Sequence, residues 1–593
     1  MAAARNASLW TTTLTLMAAQ AAGQAPSDVF HSNNAGSLSA GSAQTIPGVA
    51  WLPALAGQAT GMVIDDACAT ALIGFATRSD EESAVPAVWH RSPQGEFTPI
   101  AVAGEPAFGL ARFGQDFSRL AILPDGSVTF SVELVYDHIT TRYPYAHFRF
   151  ADGELRPIAL NGQAVGTGDD VLISLLHTPT WDVASNTVSS AFFAGLDSPY
   201  LAAGDRPIFT QTGDGPARIL VREGDVPIME RATTPFVVLG GVSSAQGMNR
   251  HLAMNSFGET VFSAIVHDAG TGEFGSGIWI DRRMTGLERI AGAGDIVGDD
   301  VRLNTFDPLV TVNAAGVVGF VATLDGEDVT AFDNEAVFLA YADGQLLPLV
   351  RKGGAAPGTL PAAVFHRFND VALADTGAAM VSGTVTAGIG TPAQHGFWTI
   401  DRQGSVLPVV VTGGPALDME EGVTISGVVS HAFGDAGHLA FVATVEGFGV
   451  EAGMNDLALY QTDDLGRPVL VARTGFGLEY APGTDEPTQV VTGLLLESAS
   501  RGDDGLPSAV NRLGDTVFTV TFADGTGSTM VATPPEANAA DVNRDGLVNP
   551  ADFTAWVQAF NREAIGCDQN GDGACAPDDF SAWIVNFNAA LDR

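Results

Sequence analysis

The C-terminal part of the chain contains two copies of one oxygen-rich pattern. Residues 541–552 and 568–579 both read D-x-N-x-D-G-x-x-x-x-x-D, and the copies start 27 positions apart. Calcium takes about six to eight oxygen ligands, and a loop with this spacing brings carboxylate, amide and backbone oxygens to one point. The spacing therefore predicts two calcium sites. In the first loop the predicted ligands are Asp541, Asn543, Asp545, the Leu547 carbonyl, Asn549 through a water, and Asp552. In the second they are Asp568, Asn570, Asp572, the Ala574 carbonyl and Asp579, with a water in place of a side chain at Ala576.

An aromatic stripe follows each loop. The two stripes read Phe553-x-x-Trp556-x-x-x-Phe560 and Phe580-x-x-Trp583-x-x-x-Phe587. This spacing places the rings on one face of a helix. The pattern predicts two short helices whose aromatic side chains form the small core between the repeats rather than a binding face.

Loop then helix, twice, with Asp instead of Glu closing each loop and no helix entering the first, resembles a dockerin, a tandem EF-hand-like module. The resemblance covers residues 541–593 and implies an α-helical module with two bound calcium ions and a cohesin-like or envelope anchoring partner. Cellulosomal dockerins carry small hydroxyl residues at two loop positions that contact cohesin. This chain has Pro550-Ala551 and Pro577-Asp578 there, which argues against standard cohesin specificity.

The two C-terminal cysteines strengthen the resemblance. Gly566-Cys567 precedes the second loop, and Cys575 occupies its eighth position, as in the GC-type dockerin. That resemblance implies a disulfide between Cys567 and Cys575, and two free thiols are the alternative. A module this small buries little core, so a metal or a disulfide has to stabilise it. We interpret the third cysteine, Cys68, as a small buried hydrophobe.

The charge balance restricts the partners. The chain has 593 residues with 28 basic and 68 acidic side chains, a formal net charge of −40. Such a field disfavours nucleic acid and anionic membrane surfaces. The 69 glycines and the hydrophobic fraction of 46% favour many short strands joined by turns.

The N-terminus has the layout of a secretory signal. Arg5 precedes a short apolar stretch, Leu9 to Met17, and Ala19-Gln20-Ala21 forms a small-residue cleavage site. We therefore predict a signal peptide over residues 1–21 and a flexible segment over 22–46. No later stretch reaches the ~20 apolar residues of a membrane span. The expected location is extracellular or at the cell surface, where calcium and oxidising conditions suit the C-terminal loops.

Two elements repeat through the middle of the chain. The first is an apolar-aromatic strand, a turn with Gly, and an aliphatic strand that usually contains Pro. It occurs seven times, 59 to 70 residues apart, at Trp89, Phe148, Phe209, Trp279, Phe338, Trp398 and Tyr460. The second is Asn or Asp, a following Gly, and alternating apolar residues, which indicates a hairpin turn and a half-buried strand. It occurs eight times, starting at Asp65, Asp125, Asp182, Asn255, Asn313, Asp375, Asp435 and Asn511.

Each repeat unit thus supplies about four antiparallel strands that must stack on neighbouring units to bury both faces. Four-stranded units at a fixed period predict a mainly β fold, a β-propeller of about eight blades over residues 47–533, with seven as the alternative. The strand Val49–Gly57 is predicted to complete the last blade. A solenoid and two β-sandwiches remain alternatives. Residues 534–540 are predicted to link the propeller to the module. The repeats also resemble bacterial surface proteins with tandem N-x-x-G-x-x-x-A-F repeats, which implies location rather than chemistry.

Catalytic signatures are weak. The eleven histidines never form H-E-x-x-H or H-x-H, and neither a G-x-S-x-G elbow nor a phosphate loop is present. With 68 acidic residues, close carboxylate pairs have no specificity for glycoside hydrolysis. We interpret the acidic runs as solvated loops and the repeated arginines as structural ion pairs. The acidic runs are Asp80-Glu81-Glu82, Asp299-Asp300 and Asp503-Asp504, and the arginines are Arg222, Arg351 and Arg473.

The sequence therefore predicts an exported calcium-binding repeat protein, attached through its dockerin-like module, whose propeller offers a protein- or glycan-binding surface. Catalytic residues are unknown. The alternative is a tethered polysaccharide-degrading hydrolase or lyase on the propeller, and a structural layer component is a third possibility. An acidic pair or a His/Arg cluster in the central depression of the ring would favour the enzyme.

Overall fold

The computed structural model describes part of the chain in defined positions. These residues are 45–46, 49–53, 62–65, 69–78, 84–92, 97–108, 111–123, 125–136, 145–160, 172–174, 183–186, 189–193, 195–197, 207–212, 217–221, 236–239, 252–268, 274–298, 300–359, 363–388, 393–401, 404–463, 466–478, 489–498, 500–525, 527–532, 534, 540, 542, 548, 550–560, 567, 569 and 576–591. The predicted signal peptide and most of the segment after it lie outside this part.

The described strands form eight successive antiparallel sheets, which we number as blades 1 to 8. Blade 1 contains β1 (Thr45–Ile46), β2 (Val49–Pro53), β3 (Met62–Ile64), β4 (Thr70–Arg78), β5 (Ala84–Arg91) and β6 (Phe97–Val102). Blade 2 contains β7 (Pro106–Phe108), β8 (Ala111–Ile122), β9 (Val128–Tyr136), β10 (Tyr145–Ala151) and β11 (Glu154–Leu160). Blade 3 contains β13 (Val183–Ser185), β14 (Ser189–Phe193), β16 (Ile208–Thr212) and β17 (Arg218–Val221), beside the small pair β12 (Leu172–Ser174) and β15 (Gly195–Asp197). Blade 4 contains β18 (Phe236–Leu239), β19 (Leu252–Met254), β20 (Thr260–Asp268), β21 (Phe274–Arg282) and β22 (Gly286–Gly292).

The second half of the ring repeats this plan. Blade 5 contains β23 (Ile296–Gly298), β24 (Val301–Val312), β25 (Val318–Asp325), β26 (Glu335–Ala340) and β27 (Leu346–Arg351). Blade 6 contains β28 (Val364–Leu373), β29 (Ala379–Thr386), β30 (Gln394–Ile400) and β31 (Val406–Val411). Blade 7 contains β32 (Thr424–Phe433), β33 (Leu439–Glu446), β34 (Leu457–Thr462) and β35 (Pro468–Arg473). Blade 8 contains β36 (Gly477–Leu478), β37 (Gln489–Leu495), β38 (Thr516–Phe522) and β39 (Gly527–Ala532), and two helices follow, α1 (Pro550–Phe560) and α2 (Asp578–Leu591).

The fold is a β-propeller of eight blades built on four-stranded sheets, as the repeats predicted. The second repeated element forms the second strand of each blade, and the first repeated element forms the third and outer strands. In blades 1 to 7 the register of the third strand against the outer strand shifts at the same place. The shift comes immediately before the aromatic residue that recurs in each repeat, for example between Val337 and Phe338. A bulge at the same place in seven sheets increases their local twist in the same way.

Within each of several blades, a stacked aromatic pair joins the second strand to the third. In blade 5, Phe320 of β25 pairs in register with Phe338 of β26, and their ring centroids are 5.6 Å apart. In blade 7, Phe441 of β33 and Tyr460 of β34 stand in the same relation at 5.2 Å. Blades 2, 3 and 4 repeat this cross-strand pair. Each pair adds about 0.5–1.5 kcal/mol to the free energy gained from burying the rings.

The ring closes between blades 8 and 1. Met62 of β3 lies in one hydrophobic cluster with Phe518 of β38, and the Thr519 hydroxyl donates to the Met62 Sδ at 2.8 Å. The prediction that the N-terminal strand completes blade 8 is wrong. Strand β2 pairs with β4 of blade 1, at the same edge of β4 that β3 occupies.

Asn side chains at the turns join neighbouring blades. The Asn186 amide donates to the Asn255 carbonyl at 3.1 Å, Asn255 to the Asn313 carbonyl at 3.1 Å, and Asn313 to the Ala374 carbonyl at 3.2 Å. Across the closure, Asn511 donates to the Asp65 carbonyl at 2.9 Å. Each accepting carbonyl belongs to the first residue of the turn in the next blade. An Asn side chain has both an acceptor and a donor, so its oxygen can bond within its own turn while its nitrogen bonds to the next blade. This explains the repeated Asn.

Some predicted turn residues are displaced. In blade 3 the residue that accepts within the turn is Asn186, and Asp182 lies outside the described residues. In blades 6 and 7 the first turn residues are Ala374 and Gly434, so Asp375 and Asp435 stand one position further on. Neither described helix is long and apolar enough to cross a bilayer.

Candidate functional site

The C-terminal helices α1 and α2 are arranged as two equivalent halves. The Trp556 indole donates to the Cys567 carbonyl at 3.1 Å, and the Trp583 indole donates to the Ala540 carbonyl at 3.3 Å. Both acceptors immediately precede a predicted calcium loop, so each helix is bonded to the start of the other repeat. The aromatic rings also contact the opposite helix. The ring centroids of Phe553 and Trp583 are 5.3 Å apart, and those of Phe580 and Trp556 are 5.4 Å apart.

The closing carboxylates of both loops are fully buried. Asp552 and Asp579 each have 0% of their surface exposed, and each lies in the first turn of its helix. The Asp579 oxygens accept from the Gln569 and Ala576 backbone amides, both at 2.8 Å. Buried carboxylates are costly without compensating positive charge or donors. Their position therefore fits the chemistry of a cation site, with Asp552 and Asp579 as ligands.

The other predicted ligands lie outside the described residues, namely Asp541, Asn543, Asp545, Leu547, Asn549, Asp568, Asn570, Asp572 and Ala574. Within the described part of the chain, no group of three or more His, Cys, Asp or Glu side chains has the arrangement of a metal site. Cys567, which is predicted to pair with Cys575, is buried. Cys575 lies outside the described residues, so this pairing remains a prediction.

The aromatic stripes are only partly the core that the sequence predicted. Trp556 and Trp583 are buried, together with Ala540. Phe553 and Phe580 instead remain 40% and 38% exposed. Val557 and Ile584, one turn further along each helix, are exposed to a similar degree. These four side chains form an apolar face that is repeated by the two halves.

A second site lies on the axis of the propeller, where residues 500–510 cross the channel. We call these residues the central segment. They belong to blade 8, between β37 and β38. The Arg501 carbonyl accepts from Leu373 N of blade 6 at 2.9 Å and from the Thr311 hydroxyl of blade 5 at 3.0 Å. The Asp504 carbonyl accepts from Met254 N of blade 4 at 2.7 Å, and the Gly505 carbonyl from Ser185 N of blade 3 at 2.9 Å.

Further contacts extend the central segment to blades 1 and 7. The Ser508 carbonyl accepts from Ile64 N of blade 1 at 3.2 Å, and Arg501 forms a parallel bridge with Phe433 of blade 7. A segment bonded to the first strands of six blades has to lie on the ring axis. It occupies the channel at the level of the Asn turns.

An ion pair between Arg501 and Asp370 holds the central segment in the channel. The Arg501 Nε lies 2.8 Å and 2.9 Å from the two Asp370 carboxylate oxygens. The same carboxylate is 4.0 Å from the His431 Nε2 of blade 7. Burial lowers the pKa of His431, partly opposed by Asp370 and reinforced by Arg501 and His395. A neutral imidazole thus stands beside a paired carboxylate at the centre of the ring.

The prediction that Asp503-Asp504 is a solvated loop is wrong. Asp504 is fully buried, and its carboxylate accepts from the Arg501 and Leu506 amides at 2.8 Å and 3.1 Å. Asp503 accepts from Ser256 N at 2.9 Å. The pKa of each carboxyl is raised to about 7, mainly by burial, and the neighbouring charges of Asp375 at Asp503 and of Asp435 at Asp504 act in the same direction. The tertiary contacts of a segment outside the repeats were not visible in the sequence.

The prediction that the repeated arginines form structural ion pairs is confirmed for two of the three. Arg351 pairs with Asp333 at 2.7 Å and Arg473 with Glu420 at 3.1 Å, while Arg222 lies outside the described residues. Asp300 is exposed, as predicted, and Asp80-Glu81-Glu82 and Asp299 lie outside the described residues.

Arg119 of β8 escaped the sequence analysis, because nothing in its local pattern marks it. It has a φ of 53°, in the left-handed region that an Arg rarely adopts. It lies within a register shift of β8 against β9, between Ser118 and Ala121. Together with His431 it borders a cavity on the channel.

The described architecture defines a class, an eight-bladed β-propeller followed by a two-helix module. The chain belongs to a family of unknown function, DUF7453, whose model matches residues 32–540. No curated protein matches the chain.

Several solved structures resemble the fold at low identity. The β-propeller domain of the Trilobed protease from Pyrococcus furiosus is 10% identical, with 70% of this chain and 94% of that chain covered and a TM-score of 0.32. The polysaccharide lyase Uly1 is 9% identical, with coverages of 83% and 94% and a TM-score of 0.30. The Penicillium chrysogenum α-L-arabinanase is 10% identical, with coverages of 64% and 98% and a TM-score of 0.25. At these TM-scores the likenesses carry no information on the chemistry of this chain.

Proposed function

We propose that this protein is exported and attached to an envelope or extracellular partner by a calcium-dependent, dockerin-like module, and that its propeller is a protein- or glycan-binding surface. The observation that carries the proposal is the equivalence of Asp552 and Asp579. Both close a D-x-N-x-D-G loop, both are fully buried, and they lie 27 positions apart on equivalent helices.

Calcium is expected to stabilise the module by binding only the folded form. When bound, the ions would add positive charge beside the two buried carboxylates. The exchanged Trp556 and Trp583 hydrogen bonds would then join the start of each loop to the opposite helix. Loss of calcium from either loop should therefore destabilise both halves of the C-terminal module.

The apolar face formed by Phe553, Val557, Phe580 and Ile584 is a reasonable contact surface for the anchoring partner. Its side chains are exposed on helices that calcium would order. Aromatic and aliphatic side chains of this kind often provide the buried centre of an interface. The cohesin-like or other envelope identity of the partner rests on the dockerin resemblance.

The test uses the full chain and measures calcium stoichiometry by calorimetry. We expect two sites in the original chain and one in Asp541→Ala or Asp568→Ala, because each loop loses a predicted ligand. Asp578→Ala removes an exposed carboxylate from the first turn of α2 and should leave both sites. Unchanged stoichiometry in both loop variants would refute the assignment.

Attachment is tested by capture from envelope and secreted fractions with the full chain immobilised. One partner retained with calcium, lost with chelator and lost in Asp541→Ala would support the anchoring role. Retention that ignores calcium would contradict it.

A second function, polysaccharide degradation on the propeller, is favoured by one observation. A His/Arg cluster, His431 with Arg501 and Asp370, stands beside a channel cavity. An assay of the full chain on soluble polysaccharides with calcium tests this function. Product release that His431→Ala abolishes would support it, and absence of products across the panel would count against it.

A further inference from the structure

The channel of the propeller contains a cavity of about 470 Å³ beside the central segment. Its walls come from four neighbouring blades. They include Met62 of blade 1, Arg119 and Leu120 of blade 2, His431 of blade 7, and Glu497 and Pro507 of blade 8. A cavity of this volume is in the usual range for small-molecule sites.

The course of the central segment explains why the space lies on this side. Most of its contacts attach it to blades 3, 4, 5 and 6 through Ser185, Met254, Thr311 and Leu373, with single contacts to blade 1 at Ile64 and to blade 7 at Phe433. That half of the channel is therefore occupied by protein. The cavity lies in the opposite sector, between blades 7 and 2, with Pro507 of the central segment as part of its wall.

Arg119, which lines this cavity, has a strained backbone conformation. Its φ of 53° is strained for an Arg, and only the surrounding structure can maintain it. The register shift in β8 provides the extra residue, and bulges commonly re-aim a side chain near a binding site. Arg119 and Ser430 both line this cavity.

The charges at the cavity are balanced. Arg119 and Glu497 carry opposite charges, and Arg501 is paired with Asp370 behind His431. Burial lowers the pKa of His431, which keeps its ring neutral near neutral pH. A net charge of −40 on the whole chain repels polyanions from the entrance. The site therefore suits a ligand that is uncharged and rich in hydrogen-bonding groups.

Sugar hydroxyls match the polar groups of this wall. A guanidinium has five N–H donors and a carboxylate about four acceptor positions, so each can hold two neighbouring hydroxyls while keeping bonds within the protein. Ser430 and Ser498 add hydroxyls that donate or accept. Pro507 offers an apolar surface for the C–H face of a sugar ring.

We infer that this cavity binds the end of a neutral oligosaccharide, with Arg119 and Glu497 as the residues that select it. The inference deepens the proposed glycan-binding role of the propeller and rests on that part of the proposal. It does not depend on the calcium module.

The experiment measures binding of neutral tetrasaccharides to the full chain by calorimetry. The panel contains gluco-, manno-, xylo-, arabino- and galacto-tetrasaccharides, with uronic acid tetrasaccharides for comparison. We expect at least one neutral sugar to bind with one site per chain. Arg119→Gly and Glu497→Gln should each weaken its affinity at least tenfold.

Arg119→Gly separates a ligand-binding role from a structural one. Glycine adopts a φ of 53° without strain, so the thermal midpoint should stay equal or rise while binding is lost. Asp152→Gly is the matched control, since Asp152 has the same φ of 53° in an exposed hairpin turn. It should leave sugar affinity unchanged.

The inference is overturned if no neutral tetrasaccharide binds, if only the acidic sugars bind, or if Glu497→Gln and Arg119→Gly both retain full affinity. Titrations repeated with chelator separate it from the anchoring proposal. Sugar binding that persists without calcium supports the cavity whatever happens to the module. Calcium-dependent capture with no sugar binding defeats this inference alone.

Discussion

At the scale of single residues, the repeated Asn performs two tasks with one side chain. In Asn313 the amide oxygen accepts from Ala315 N and Val317 N, both at 3.1 Å, within its own turn. The amide nitrogen donates to the Ala374 carbonyl of the next blade. An Asp can form the first set of bonds but lacks the donor for the second.

Replacing Asn313 by Asp should therefore destabilise the ring. The change removes the side-chain donor to the Ala374 carbonyl, which keeps only the Gly377 N–H, and places a charge where only 2% of the residue is exposed. We expect a loss of about 2 kcal/mol in the free energy of unfolding. The measurement is the urea midpoint at constant pH. Asn304→Asp, at an exposed position of β24, is the control and should shift the midpoint little.

Asp503 predicts a specific pH dependence. Its pKa is raised by burial to about 7 in the folded chain, against about 4 when unfolded. Between these values the folded state holds a proton that the unfolded state has lost, so stability falls as pH rises from about 4 to about 7. Asp503→Asn keeps an oxygen for Ser256 N and removes this loss.

We thus expect Asp503→Asn to reduce the fall of the thermal midpoint between pH 4 and pH 7, with the part due to Asp504 remaining, and to stabilise the chain at pH 8 by about 1 kcal/mol. The measurement is a series of thermal unfolding curves. Asp328→Asn, on the exposed surface, controls for removal of a charge. Identical pH profiles for Asp503→Asn and the original chain would disprove the role of Asp503.

At the scale of elements, the central segment depends on glycines for its approach to other blades. A Cβ on Gly502 would overlap the Leu373 carbonyl oxygen, and a Cβ on Gly505 would lie 2.7 Å from the Met254 carbonyl oxygen. Gly502 also has a φ of 103°. The segment can cross the channel because these two positions have no side chain.

Gly502→Ala should displace the central segment. We expect a loss of about 3 kcal/mol or more, measured by thermal unfolding, because the clash and the backbone strain add. Gly525→Ala is the matched control, since Gly525 has a φ of 84° and open space around it. It should cost about 1 kcal/mol from strain alone. Equal losses in the two variants would argue against close packing at Gly502.

At the scale of the whole molecule, the charge is the dominant long-range term. The formal net charge of the whole chain is −40, and like charges repel one another in any compact state. The described ion pairs compensate this locally, as in the Arg501–Asp370 pair at the axis. Salt should screen the remainder, with a Debye length of about 10 Å at 0.1 M.

Raising NaCl from 10 mM to 500 mM should therefore raise the thermal midpoint of the full chain by several degrees. The titration is run in chelator, so that calcium binding does not contribute. Repeating it with saturating calcium isolates the contribution of the C-terminal module. A midpoint that falls with salt would mean that the ion pairs outweigh the general repulsion.

The sequence by itself predicted the repeat unit, a ring of about eight blades with seven as the alternative, and the place of two calcium loops. These depend on local periodicity and spacing, such as the alternation after Asn313 or the aromatic stripe after Asp552. Only the tertiary structure decided the path of the N-terminal strand, the burial of Asp504 and the position of Arg119. Those features arise where residues distant in sequence meet on the ring axis, and no local pattern records such a meeting.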